Sequence, residues 1–123
     1  MSDLNEFVQR YVALWNEPDA DRRRAVIAEL WSEDGVYVNQ IAEYQGHDAI
    51  ADAVLEAHQQ FVEAGYTFVA QDNAVGHHDV ARFSWDMVRG GADEPDSIGT
   101  EVFVLAKDGR INADYQFIEK FPS

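Results

Sequence analysis

Apart from one short strand at residues 35–41, the hydrophobic period of this chain changes at Gly65. Before that glycine, apolar residues recur three and four apart, the spacing of one helical face. After it they alternate, the spacing of a half-buried strand. Helices first and a meander of strands afterwards imply an α+β fold. The expected architecture is a curved antiparallel sheet with three helices enclosing a conical pocket, in a single domain over residues 1–123.

Three helices are legible. Asp3 and Glu6 resemble a capping box, and Leu4, Phe7, Val8, Tyr11, Leu14 and Trp15 form the stripe of the first. Asn16-Glu17-Pro18 stops it, and Asp19 can cap a second whose stripe is Val26, Ile27, Leu30 and Trp31. Arg22, Arg23 and Arg24 on its early turns read as solvated or paired with nearby acids. Asp34-Gly35 ends this helix, and residues 35–41 read as a short strand. His47-Asp48 opens the third helix, with Ile50, Val54, His58, Phe61 and Val62 on its stripe and Gly65 as its stop. Residues 66–75, 80–89, 98–106 and 110–118 then read as four strands.

The last strand holds an acid inside an apolar run. Alternation places Asn112, Asp114, Gln116 and Ile118 on one face, with Ala113, Tyr115, Phe117 and Glu119 on the other. A polar row of this kind meets water or lines a cavity, and the second case would give Asp114 chemical work.

Net charge is −14, which opposes nucleic acid and anionic membranes as partners. There is no Cys, so thiolate metal sites and disulfides are ruled out. No apolar run approaches membrane-spanning length, and residues 1–6 lack the apolar core of a signal peptide. A cytoplasmic protein with a small apolar ligand is expected. His77-His78-Asp79 lacks the spacing of known metal sites, so no metal is expected there.

Three local patterns resemble the nuclear transport factor 2-like superfamily, which includes SnoaL-like polyketide cyclases, limonene epoxide hydrolases and ketosteroid isomerases. Gln9-Arg10-Tyr11-Val12-Ala13 followed by Asn16 is similar to the first helix of the isomerases. Leu30-Trp31-Ser32-Glu33-Asp34-Gly35-Val36 resembles the F-x-D-D-A approach to the first strand. Gly46-His47-Asp48-Ala49-Ile50 resembles the G-x-x-A-I start of the third helix. The order of elements is also that of the superfamily, over essentially the whole chain.

The resemblance implies three candidate chemistries, none needing a cofactor. In the hydrolase pattern, Tyr37 and Asn39 match the Tyr-x-Asn that holds a water, and Asp114 matches the last-strand acid. Asp86 takes the place of the second acid on a middle strand. Ser84 stands where those enzymes have Arg, with Arg82 one step back on the same face. In the isomerase pattern, Tyr11 matches the oxyanion-hole Tyr, and Glu101 falls near the acid that is kept protonated. Asn39 replaces the general base. In the cyclase pattern, Asp114 alone is the acid and base. Trp15, His58 and Gln116 complete the expected substrate contacts, His58 as an acid or base opposite Asp114 or as an ordinary core histidine. A non-catalytic ligand binder of the same fold remains the alternative.

On the strand at 80–89, Arg82, Ser84 and Asp86 share one face and Phe83, Trp85 and Met87 the other. If the polar face lines the pocket, Phe83, Trp85, Tyr115 and Phe117 point outward, and a homodimer is expected to cover them.

Overall fold

The computed structural model describes residues 2–122; Met1, part of the N-terminal stretch read as lacking a leader, lies outside them. Helices α1 (Ser2–Asn16) and α2 (Ala20–Leu30) precede strands β1 (Trp31–Val38) and β2 (Glu43–Gln45). Helix α3 (His47–Ala57) runs on into a π-helical turn, His58–Val62. Strands β3 (Tyr66–Ala70), β4 (Val75–His77), β5 (Val80–Arg89), β6 (Ser97–Leu105) and β7 (Ile111–Lys120) follow. The α+β reading holds, with three helices set against a seven-stranded sheet.

The caps behave as their residue types dictate. Asp19 Oδ1 accepts from the Asp21 and Arg22 amides at 2.9 and 3.3 Å, which starts α2. Arg22 and Arg24 pair with Glu17 and Asp48. Arg23 is instead buried, its guanidinium donating to the Glu17 and Pro18 carbonyls. Asn16 does more than end α1. Its amide donates to the Phe68 carbonyl at 2.8 Å and its Oδ1 accepts the Phe68 amide at 2.9 Å, so the helix end is bonded to β3 as a strand would be.

Sheet order is β2-β1-β7-β6-β5-β3, with β4 also on β5. All neighbours are antiparallel except β1 and β7, which run parallel, so the sheet is mixed and not wholly antiparallel. Trp31 starts this strand instead of ending the α2 stripe, and the pairing skips between Trp31 and Val36. Gly35 lies in that irregular stretch, where a Cβ would sit 2.8 Å from the Ile111 carbonyl oxygen. The short strands β2 and β4 are absent from the sequence reading. Three residues carry too little alternation to reveal a strand.

The helices cover one sheet face, and the core lies between. Tyr11, Leu14, Trp15, Ile50 and Val54 meet Phe83, Trp85, Met87 and Phe103 there. This inverts the expected orientation of β5. Phe83, Trp85 and Met87 point inward and are buried, while Arg82, Ser84 and Asp86 lie on the outer face, where Arg82 is exposed, Asp86 half-buried and Ser84 buried. The physical reason is area. Two large aromatic rings and a methionine gain more by joining the helix-covered core than three polar groups could. On β7 the expected orientation stands for Asp114, Gln116 and Ile118, with Tyr115 and Phe117 outward and exposed. Asn112 departs from that row and is exposed, because the β6–β7 register shifts between Val104 and Leu105. No helix among the described residues is long and apolar enough to cross a membrane.

Candidate active site

Between α1, α3 and the inner sheet face lies a cavity of about 440 Å³. Its walls are largely aromatic: Trp15, Tyr37, Tyr44, Phe61, Phe68 and Trp85 all line it. Ring contacts fasten these side chains to one another, Trp15 to Tyr37 at 5.3 Å and Phe68 to Trp85 at 5.5 Å between centroids.

The polar groups gather where three strands meet under α1. Asp114 pairs with Phe103 on β6 and with Tyr37 on β1, and Glu101 pairs with Gln116. Glu101 and Asp114 are therefore diagonal neighbours on one sheet face, within reach of each other. The Tyr11 hydroxyl descends between them from α1. It lies 2.5 Å from Asp114 Oδ2 and 3.1 Å from Glu101 Oε1. The second Glu101 oxygen accepts from the Trp85 indole at 2.8 Å and from the Gln116 amide at 3.1 Å.

These distances decide where the protons are. Burial raises the Asp114 pKa well above the usual carboxyl range, and the neighbouring Glu101 charge raises it further. Burial also raises Glu101, but hydrogen bonds from Trp85, Gln116 and Tyr11 oppose the shift. Asp114 is thus the protonated partner and Glu101 the anion. Hydrogen-bond accounting agrees. Asp114 Oδ1 is buried without a partner, which a neutral acid tolerates far better than a carboxylate. Tyr11 has one hydrogen, so it accepts from Asp114 and donates to Glu101. Burial, then the Asp114 and Glu101 charges, hold Tyr11 well above the ordinary phenol value. Burial, then the Glu101 charge, do the same for Tyr37.

Tyr11, Trp15, Tyr37, Asn39, Glu101 and Gln116 line the cavity. Asp114 stands one layer behind them, fully buried, and reaches the cavity through Tyr11 and Glu101. Asn39 serves first as a turn residue: its Oδ1 accepts the Ile41 and Ala42 amides at 2.9 Å, and its amide lies 3.5 Å from the Tyr37 hydroxyl.

Four expected contacts fall elsewhere. Asp86 is on the outer face, bonded to Gln71 at 2.7 Å, and Ser84 meets Thr100 at 2.9 Å on that same face. Arg82 is exposed there too, so none of the three can reach Asp114. His58 is buried in the π-helical turn with its Nε2 3.7 Å from Glu63, and Gln60 and Phe61 of that turn form the wall instead. The acid opposite Asp114 is Glu101. Trp85 is the contact that sequence reasoning placed on the wrong face; Met87, two residues on in the same alternating set, was the signal that it belonged to an apolar inner row.

A family model described as SnoaL-like domain matches residues 8–113, ending just before Asp114. No curated protein matches the chain. Among solved structures, a candidate isomerase of the SnoaL-like family from Agrobacterium tumefaciens is similar at 34% identity and a TM-score of 0.87, over 97% of this chain and 99% of that one. A candidate polyketide cyclase from Sinorhizobium meliloti shares the fold at 22% identity and a TM-score of 0.71, over 94% and 97%. An NTF2-like protein with a cystatin-like fold from Novosphingobium aromaticivorans does so at 23% identity and 0.68, over 93% and 78%.

Proposed function

Because the chain belongs to the SnoaL-like family, we propose that it is a cofactor-free enzyme that moves a proton on a small apolar carbonyl compound, as an isomerase or cyclase does. The observation that carries this reading is the Asp114–Tyr11–Glu101 network at the wall of an aromatic cavity. Two carboxyls with one proton between them supply an acid and a base in one place.

In the proposed step, Glu101 Oε1 takes a proton from the carbon beside the carbonyl. Among the described residues this oxygen accepts from the Tyr11 hydroxyl alone, so a lone pair is left for the purpose. Tyr11 donates to the developing enolate oxygen and is reprotonated by Asp114. The step leaves Glu101 protonated and Asp114 ionised. Return of the proton to a different carbon, or attack of the enolate on a second carbonyl of the same molecule, completes an isomerisation or a ring closure. Reversal of the relay resets the pair. Asp114 thereby keeps its acid–base role, and Glu101 replaces Asp86 as its partner.

The epoxide-hydrolase route is less well supported. That pattern needs an Arg two residues before the second acid on its strand. Here that residue is Gly99, and a Cβ at this position would overlap the Trp85 indole.

The test is proton exchange at carbon. Cyclic ketones in deuterium oxide, followed by NMR, should exchange faster with wild type than with Glu101→Gln or Asp114→Asn. A second reading, a non-catalytic binder, draws on one observation: Glu101 and Asp114 each have 0% exposed surface. Ligand binding without any acceleration of exchange, equal in wild type and both variants, would decide for it. A homodimer is part of the proposal, through the outer sheet face where Tyr115 and Phe117 are 42% and 56% exposed.

A further inference from the structure

The rim of the cavity carries two apolar side chains that proton transfer does not require. Ile41, between β1 and β2, lines the cavity while 92% of its surface is exposed. Phe121, just after β7, lines it while 62% exposed. β1 and β7 run parallel, so both lead toward the same end of the sheet, and the residues that follow them, Ile41 and Phe121, border the same cavity.

Neither side chain is exposed because its backbone is loose. Asn39 Oδ1 holds the Ile41 and Ala42 amides at 2.9 Å, and the Asn39 amide donates to the Ala42 carbonyl at 3.0 Å. Turn tips of this kind normally carry Gly, Asn, Asp or Ser. The end of β7 is anchored just as directly. Ser97 Oγ donates to the Lys120 carbonyl at 2.9 Å, and Lys120 Nζ donates to the Pro95 carbonyl at 2.8 Å. Two bonded segments therefore hold apolar groups out in water at the opening of an apolar cavity. An exposed apolar pair at such a place marks a contact still to be made.

We infer that Ile41 and Phe121 are a specificity clasp for an elongated ligand. The ligand carries a carbonyl head that enters toward Tyr11 and Glu101, and an unbranched apolar tail that leaves between Ile41 and Phe121. The head assignment rests on the acid–base reading above; the tail assignment does not.

The test is displacement of a neutral fluorophore, N-phenyl-1-naphthylamine, by methyl ketones of increasing length, from butanone to dodecanone. Wild type should gain about fourfold in affinity for each added methylene along the whole series. In Ile41→Ser/Phe121→Ser that gain should stop part-way. The short ketones should bind as they do to wild type, and the longest about tenfold or more weaker. Near-UV circular dichroism checks that the variant retains its packing. Long ketones bound equally well by the variant would overturn the clasp, as would a loss of affinity equal for butanone and dodecanone. Failure of the probe to bind, or of any ketone to displace it, would overturn the ligand class. Asp114→Asn separates the two readings. If it leaves proton exchange unchanged while the length dependence still breaks in the clasp variant, the acid–base reading falls and the clasp stands.

Discussion

Glu101 and Asp114 lie diagonally across the β6–β7 pair, and the Tyr11 hydroxyl is bonded to both, 3.1 Å from one and 2.5 Å from the other. Two fully buried carboxyls this close cannot both be ionised without a counter-charge. The fold supplies neutral donors instead, Trp85 and Gln116, and these go to Glu101. That asymmetry separates an acid from a base and leads to the predictions that follow.

Asp114→Asn keeps the volume and a hydrogen-bond donor toward Tyr11, but it cannot give up a proton. Ketone exchange should fall by about 10² to 10⁴-fold, the usual worth of a positioned acid or base. Affinity for the same ketone, measured by fluorophore displacement, should change little.

The pH dependence of stability has a definite sign. Asp114 and Glu101 have pKa values raised by folding, so between the unfolded and folded values the native state binds more protons. Their contribution is complete below the unfolded carboxyl values and is lost as pH rises through the folded ones. Urea unfolding of wild type and Asp114→Asn should be compared from about pH 4 to about pH 8. Relative to the variant, wild type should lose stability as pH increases. A difference independent of pH would show that Asp114 is not held protonated.

Tyr11→Phe removes the bridge and leaves Glu101 Oε1 and Asp114 Oδ2 without it. Each is a buried polar atom, so the loss should be about 1–3 kcal/mol by denaturant unfolding. Tyr11→Ala would add a cavity beside Trp31, Phe83 and Phe103, and should cost more.

Gly99→Ala tests the packing under Glu101. Its methyl group would overlap the Trp85 ring, so the indole must shift and its bond to Glu101 must lengthen or break. A destabilisation of about 1–3 kcal/mol is expected from overpacking alone. The near-UV dichroism of tryptophan should change, whereas Thr100→Ala, on the outer face, should leave it as it was.

Light scattering should give about twice the 13.9 kDa chain mass. Phe117→Glu places a charge on the outer sheet face without touching the cavity, and should return the protein to a monomer. A wild-type monomer at high concentration would remove the proposed dimer.

The order and kind of the major elements were determined by the sequence, because helical and strand periods express local steric preferences. Alternation also established which side chains share a face: Asp114 with Gln116 and Ile118, and Phe83 with Trp85 and Met87. It could not tell which face looks inward, since an alternating pattern reads the same from either side. That was decided by where α1 and α3 lie and by the larger apolar area of Phe83, Trp85 and Met87, which sent Arg82, Ser84 and Asp86 outward. The partner of Asp114 was likewise a tertiary matter. Glu101 and Asp86 are both acids on strands, but of their two strands it is β6, not β5, that borders β7, and the β6–β7 register brings Glu101 beside Gln116 and diagonally across from Asp114. Pairing of this kind depends on contacts far apart in the chain, about which local spacing carries no information.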